Sequence, residues 1–201
     1  MSLHTAAFPD FMLTMLGRTF LRELYRAFIR DADGLCLVAL EEDGDTAVGF
    51  AAGTLRPEEF FRRLFRRRAW AFAYAAIPSL FRHPLRVGRR LFAAVFYRGE
   101  SPPELPNAVL LSSLAVSPHV EGRGLGLRLV ELFCASSKDR GAANVYLTTD
   151  QTDNNRVNAF YVKCGFQLLA RVKRGDGRRM NLYYIPLPDR DNVGARKEEP
   201  T

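Results

Sequence analysis

The stretch SPHVEGRGLGLRLVELF, residues 117–133, constrains the fold more than any other part of this 201-residue chain. It places glycines at positions 122, 124 and 126 and then continues with the apolar periodicity of a helix. Glycine costs conformational entropy at a helix entry, so it is typical of positions that need a positive φ or a close approach to the main chain. The amides and the dipole of a helix N-terminus together bind anions such as phosphate. The stretch therefore predicts a phosphate-binding turn that leads into a helix.

Two common phosphate-binding turns do not fit these residues. A P-loop needs a lysine followed by serine or threonine after its last glycine, and this chain has none there. A dinucleotide-binding turn has the spacing G-x-G-x-x-G, whereas this chain has G-x-G-x-G. The pyrophosphate loop of the acyl-coenzyme A transferases remains as the third candidate.

The composition is that of one soluble domain, with 47% hydrophobic and 25% charged residues. No apolar run approaches the about 20 residues of a membrane span, and the N-terminus lacks the features of a secretory signal. Cys36, Cys134 and Cys164 lie far apart in apolar surroundings without C-x-x-C spacing. They predict reduced core thiols of a cytoplasmic protein and no metal site, with a position near a ligand left open for Cys164.

The positive charge is concentrated in residues 56–98. This segment holds eleven arginines against two glutamates, a net charge of +9, and the rest of the chain carries −2. Its apolar periodicity predicts a helical hairpin inserted between two strands. The arginines could form a solvated face, bind an anionic acceptor or an acyl carrier protein, or lie against an anionic membrane surface. Nucleic acid is not an expected partner, because nothing beyond the charge favours it.

The remaining pattern alternates short strands with helices, which predicts an α+β fold with a mixed sheet and one βαβ-like crossover. A single domain is predicted over residues 1–187, followed by a disordered tail over 188–201. In chain order the predicted elements are a helix (11–30), a hairpin (35–55), the insertion (56–98), a strand (107–118), a helix (124–140), a strand (144–150), a short helix ending at Gly165, and a hairpin (166–187).

Two motifs in this order resemble those of the GCN5-related N-acetyltransferase (GNAT) superfamily. LAVSPHVEGRGLGLRLVELF is similar to its coenzyme A-binding stretch, and DNNRVNAFYVKCGF is similar to its second signature. The resemblance covers residues 107–187 closely and residues 11–55 in outline. It implies the three-layer α/β/α acyl-CoA N-acyltransferase fold, whose mostly antiparallel sheet is splayed between the fourth and fifth family strands. The family's first strand has no counterpart in the pattern, and an edge left open in this way would suit a homodimer.

The resemblance also implies acetyl-CoA as the co-substrate and no metal. The glycine turn would bind the pyrophosphate, and the edge of the splayed strand would bind the pantetheine arm as an added strand does. The residues implied in donor binding are Leu114, Ala115, Val116, Gly122, Arg123, Gly124, Leu125, Gly126, Leu127, Asn154 and Asn158.

Three residues are implied in catalysis. The Tyr161 hydroxyl would protonate the leaving thiolate, and the backbone N–H of Val116 would polarise the thioester carbonyl. Many family members have a glutamate base where this chain has Thr149, so the base is Asp150, a water chain or an amine that is already deprotonated. A further departure is Glu121, a carboxylate at a position where the family has Arg or Gln.

The implied function is transfer of an acetyl group from acetyl-CoA to a primary amine by direct attack. A small-molecule or sugar-nucleotide-type acceptor is expected, and an anionic one would suit the basic insertion. The alternatives are an acyltransferase that uses a longer acyl-CoA or an acyl carrier protein, and a non-catalytic protein that binds coenzyme A or nucleic acid on the same fold.

Overall fold

The computed structural model describes residues 3, 18–42, 44–64, 66, 101–174 and 177–188. Six strands form one sheet: β1 Gly34–Leu40, β2 Ala47–Thr54, β3 Ala108–Val116, β4 Asn144–Asp150, β5 Gln167–Lys173 and β6 Arg179–Pro186. The helices are α1 Arg18–Arg30, α2 Leu125–Asp139 and α3 Asn155–Lys163, with a 3-10 turn over Pro118–Val120 and a helical segment over 57–64.

The sheet has the spatial order β1-β2-β3-β4-β6-β5. All neighbouring strands are antiparallel except β3 and β4, which are parallel and connected through α2. This arrangement confirms the predicted α+β fold with a mostly antiparallel mixed sheet.

Helices cover both faces of the sheet, which gives three layers. α1 and the 57–64 segment pack on one face, where Phe28 and Phe60 stack with their ring centroids 4.8 Å apart. α2 and α3 cover the other face, where Phe133 is fully buried. Successive side chains of a strand point to opposite faces, so the central strands supply apolar residues to both cores. This is why they read as continuous apolar runs in the sequence.

The sheet is splayed at the β3–β4 pair, as predicted. Pairing between these strands covers only three positions, from Ala108 opposite Asn144 to Leu110 opposite Tyr146. Beyond them β3 continues to Val116, while β4 stays paired with β6 along its whole length. The C-terminal halves of β3 and β4 therefore diverge and leave a gap between their facing edges.

At Gly53, β2 lies unusually close to the backbone of β3 and to a side chain of α2. The register between β2 and β3 shifts at Gly53, where an added Cβ would lie 2.0 Å from the Leu110 carbonyl oxygen and 2.7 Å from Cζ of Phe133. Only a residue without a side chain fits at this position. The position of α2, whose first turn borders the gap, thus depends on Gly53.

The start of the basic segment is held by the acidic turn between α1 and β1. The Arg63 guanidinium donates to both oxygens of Asp31, at 2.7 and 3.1 Å, and also to the buried carboxylate of Asp33. Arg56 donates to Asp33 at 2.9 Å. Two of the eleven arginines are therefore engaged within the protein, which reduces the charge that the predicted basic surface can offer.

Several predicted features lie outside the described residues. A helix begins at Pro57, within the predicted helical insertion, but the 56–98 segment is described only at 56–64 and 66. The family's first strand would fall before residue 18, and nearly all of the predicted disordered tail falls after residue 188, so these remain predictions. No described helix has the length and hydrophobicity to cross a membrane.

Candidate active site

The gap between β3 and β4 forms a cavity of about 630 Å³ that α2 and α3 close from one side. This volume is in the usual range for a small-molecule site. Nine of the eleven residues predicted to bind the donor line it, and so do Asp150 and Tyr161. The nine are Leu114, Ala115, Val116, Gly122, Gly124, Leu125, Gly126, Leu127 and Asn154.

The glycine turn forms the mouth of this cavity. Gly122 and Gly124 have φ values of 78° and 79°, in the left-handed region, and an added Cβ would meet open space at either position. Their backbone torsions are therefore the reason for glycine there. At Gly126 the reason is packing, because a Cβ would lie 3.3 Å from the ring of Phe160.

The first amides of α2 precede its first backbone hydrogen bond. The Arg128 N–H donates to the Gly124 carbonyl at 3.0 Å and makes the first bond of α2. The amides ahead of it are the orphan donors that every helix N-terminus has. Arg123, which was predicted to bind the donor, is exposed and does not line the cavity.

The Val116 amide points into the cavity. The N–H of the next residue, Ser117, donates to the Val48 carbonyl of β2 at 2.7 Å. Successive amides of a strand point to opposite edges, so the Val116 N–H faces the gap and not β2. This orientation is the one that an oxyanion donor requires.

Tyr161 lies on α3 with 8% of its surface exposed and lines the cavity. Its ring packs edge-on against Phe160 and Phe166, with centroid distances of 5.2 and 5.6 Å. Burial, with a smaller contribution from Cys164, raises the pKa of the Tyr161 hydroxyl well above its ordinary value. The hydroxyl is therefore protonated at neutral pH and can donate a proton or a hydrogen bond into the cavity.

Cys164 also lines the cavity, the position that the sequence left open. Burial raises the pKa of its thiol to about 11. A thiol attacks as the thiolate, so Cys164 is a poor nucleophile at neutral pH.

Asp150, the candidate base, carries an ion pair that the sequence did not reveal. Arg178 donates to one of its carboxylate oxygens from Nε at 3.1 Å and to the other from Nη2. Arg178 comes from the loop between β5 and β6. Only the position of β6 beside β4 brings the two side chains together, and no local motif indicates it.

Asn158 does not line the cavity, in contrast to its predicted contact with the donor. Its Oδ1 accepts from the Thr149 hydroxyl at 2.6 Å and from Asn181 Nδ2 at 3.0 Å. Its Nδ2 donates to the carbonyls of Asp150 at 3.0 Å and Asn154 at 2.8 Å. This amide has no hydrogen-bonding capacity left for a ligand. Asn158 connects β4, β6 and the start of α3 behind the cavity wall.

Replacing Asn158 by alanine is expected to lower the free energy of unfolding by about 1–3 kcal/mol, because it removes four hydrogen bonds to part-buried groups of three different elements. Urea denaturation measures the change. Asn155→Ala removes an exposed asparagine from the same helix and should alter stability by less than about 0.5 kcal/mol. An equal, small effect of both substitutions would contradict this role for Asn158.

Asn154 lines the cavity at the N-cap of α3 but makes no side-chain capping bond. Its Nδ2 donates instead to the Asp150 carbonyl at 3.3 Å. Asn154 therefore lies beside the cavity, at a position from which it can contact a donor, and its side chain does not cap the helix.

Glu121 lies across the mouth of the cavity from α3. Its Oε2 accepts a hydrogen bond from Nη2 of Arg156 at 2.9 Å, and both residues line the cavity. This pair joins the glycine turn to the first turn of α3. Among the described residues there is no cluster of three or more His, Cys, Asp or Glu side chains that could hold a metal ion.

The profile of the acetyltransferase (GNAT) family matches residues 2–166. The chain therefore belongs to the GNAT acetyltransferase family, as the two sequence motifs indicated. No curated protein matches it in sequence.

Solved structures with the same fold are only distantly related in sequence. An aminoglycoside 6'-acetyltransferase type Ii is 15% identical with a TM-score of 0.57, and the match covers 94% of this chain and 88% of that one. An aminoglycoside 6'-N-acetyltransferase complexed with coenzyme A is 13% identical with a TM-score of 0.57 and coverages of 94% and 89%. The NatC complex bound to Gag peptide and CoA matches with 13% identity, a TM-score of 0.54 and coverages of 94% and 93%. At these identities the likeness shows the fold.

Proposed function

We propose that this protein is a cytoplasmic N-acetyltransferase that moves an acetyl group from acetyl-CoA to a primary amine by direct attack. One observation carries the proposal: a single cavity is lined by the glycine turn, the Val116 backbone and Tyr161. These are an anion-binding turn, an oxyanion donor and a proton donor, which together are the groups that acyl transfer needs. The cytoplasmic location rests on the three free cysteines.

The splayed strands support the binding of a long donor. The unpaired edge of β3 beyond Leu110 can hydrogen-bond an amide-bearing arm, as an added strand would. At its other end the orphan amides of Gly124 to Leu127 can take the pyrophosphate. The thioester would then be held near Val116 and Tyr161, which both line the cavity.

The chemical step uses groups of this chain alone. The amine nitrogen attacks the thioester carbon, and the developing oxyanion accepts a hydrogen bond from the Val116 N–H. When the C–S bond breaks, the sulfur takes the proton of the Tyr161 hydroxyl. The proton that the amine loses then reprotonates the tyrosinate. The products are the N-acetyl amine and the free thiol, so protons and charge balance.

Asp150 is proposed as the acceptor of the amine proton, directly or through a water. Asp150 lines the cavity, and Arg178 fixes the position of its carboxylate. A carboxylate there also attracts an ammonium group. A water chain or an amine that arrives deprotonated remains the alternative. In that case Asp150→Asn would leave the pH profile of kcat/KM unchanged.

An anionic acceptor is proposed on account of the basic segment. Arg56 and Arg63 are engaged by Asp31 and Asp33, so the contact falls to the other arginines, of which Arg62 and Arg66 are exposed in the structure. Contact of this segment with an acyl carrier protein or a membrane surface is the competing role for the same charge.

The proposal is tested by following thiol release from acetyl-CoA with a panel of amines and by measuring coenzyme A binding by calorimetry. The fold neighbours are named for aminoglycosides and for a peptide complex, so the panel includes aminoglycosides, amino sugars, sugar nucleotides with a free amine, and peptides. Coenzyme A binding without turnover on any acceptor would favour the non-catalytic alternative. If there is neither turnover nor coenzyme A binding, the proposed function is wrong.

A further inference from the structure

Two helix N-termini meet at the mouth of the cavity. The N-termini of α2 and α3 both lie there, and neither helix has an acidic residue in its first turn. Arg156 is at the second position of α3, where the helix dipole disfavours a cation. Both features favour the presence of an anion at this end of the cavity.

The anion that the protein itself supplies is Glu121. Its carboxylate receives the Arg156 guanidinium at 2.9 Å, across from the glycine turn to which Glu121 belongs. The only other carboxylate among the described lining residues, Asp150, is engaged by Arg178. Glu121 thus engages, at the mouth of the cavity, a guanidinium that an incoming phosphate could bind.

We propose that Arg156 is a phosphate-binding residue of the donor site, and that Glu121 holds it until the donor's pyrophosphate takes its place. This inference rests on the proposed function and names a residue outside the glycine turn for the same site. The two side chains are 83% and 49% exposed, so the pair is weak enough to be exchanged. A pyrophosphate carries more charge and more acceptor oxygens than one carboxylate, and guanidinium groups bind it in a bidentate manner.

If this exchange occurs, substitutions of Arg156 and Glu121 should change the Kd for coenzyme A in opposite directions. Arg156→Gln is expected to raise the Kd for coenzyme A about three- to tenfold, because it removes a charge-assisted contact. Glu121→Gln is expected to lower the Kd about threefold, because the donor no longer has to break the ion pair. The gain from Glu121→Gln should be smaller in the Arg156→Gln background, where no ion pair remains to be broken.

The experiment is a double-mutant cycle by calorimetry, with coenzyme A and dephospho-coenzyme A as the two ligands. Both contain the pyrophosphate, and only the first has the 3′-phosphate, so equal losses with Arg156→Gln support the pyrophosphate contact. Arg171→Gln and Glu104→Gln change the net charge in the same way at exposed positions that do not line the cavity. These control variants should bind like the wild type.

Several results would overturn the inference. They are an unchanged Kd with Arg156→Gln, a loss confined to coenzyme A, a gain from Glu121→Gln that is as large or larger without Arg156, and equal shifts in the control variants. In all of these the wild type binds coenzyme A and the proposed function stands. If the wild type does not bind coenzyme A, the proposed function fails and this inference fails with it.

Discussion

Replacing Tyr161 by phenylalanine is expected to lower kcat by about 10²- to 10⁴-fold, the usual contribution of a positioned proton donor. The substitution keeps the ring that packs against Phe160 and Phe166 and removes only the hydroxyl. Coenzyme A binding should therefore be nearly unchanged. Steady-state rates with an acceptor found in the thiol-release panel, together with calorimetric Kd values, separate the two effects.

The matched control is Tyr184→Phe, which removes a tyrosine hydroxyl from β6 outside the cavity. It should leave kcat within about twofold of the wild type, since surface substitutions of this kind are close to neutral. If Tyr161→Phe is equally active, the leaving thiolate obtains its proton elsewhere and Tyr161 is a residue of the core.

The same hydroxyl should make the folded protein less stable at alkaline pH. Burial raises the pKa of Tyr161 in the folded state, so the neutral phenol is favoured there relative to the unfolded chain. This contribution is complete below pH about 10, the ordinary tyrosine value, and is lost as the pH rises towards the folded value. Between pH 9 and 11 the Phe variant should accordingly lose less stability than the wild type, as followed by urea midpoints.

Replacing Gly53 by alanine should be strongly destabilising. The new Cβ would lie 2.0 Å from the Leu110 carbonyl oxygen, and backbone cannot move aside as a flexible side chain does. A loss of about 3–5 kcal/mol is expected, a large part of the stability of a domain of this size. Urea denaturation measures it, and soluble yield reports the outcome if the variant does not fold.

Gly44→Ala provides the comparison. Gly44 has a φ of 78° but an added Cβ would meet nothing within 4 Å, so this substitution costs torsional strain alone, about 1 kcal/mol. If the two alanine variants have the same urea midpoint, β2 and β3 can separate at the bulge without loss, and the proposed dependence of α2 on Gly53 is wrong.

The sequence allowed prediction of the features that are encoded locally. The glycine turn, the helix after it and the position of Tyr161 on α3 follow from spacing within one stretch, because periodicity and positive-φ residues report on the local backbone. The motifs also placed the splay between β3 and β4 through the family resemblance. Nine predicted donor-site residues consequently line one cavity.

What could not be predicted depends on contacts between distant elements. The partner of Asp150 depends on β6 lying between β4 and β5, and a shift of one residue in that register would turn Arg178 to the other face. The network around Asn158 likewise needs Thr149 and Asn181 on adjacent strands. The motif indicated that Asn158 contacts the donor, whereas its hydrogen bonds show that it links β4, β6 and α3.

The three-position pairing of β3 with β4 has a consequence for the cohesion of the molecule. Apart from this short junction, the sheet consists of two leaves, β1–β2–β3 and β4–β6–β5, each hydrogen-bonded within itself. A donor that hydrogen-bonds the open edge of one leaf and also contacts the other would hold the two leaves together. Its occupancy should therefore slow amide hydrogen exchange on both sides of the junction, including positions that it never contacts.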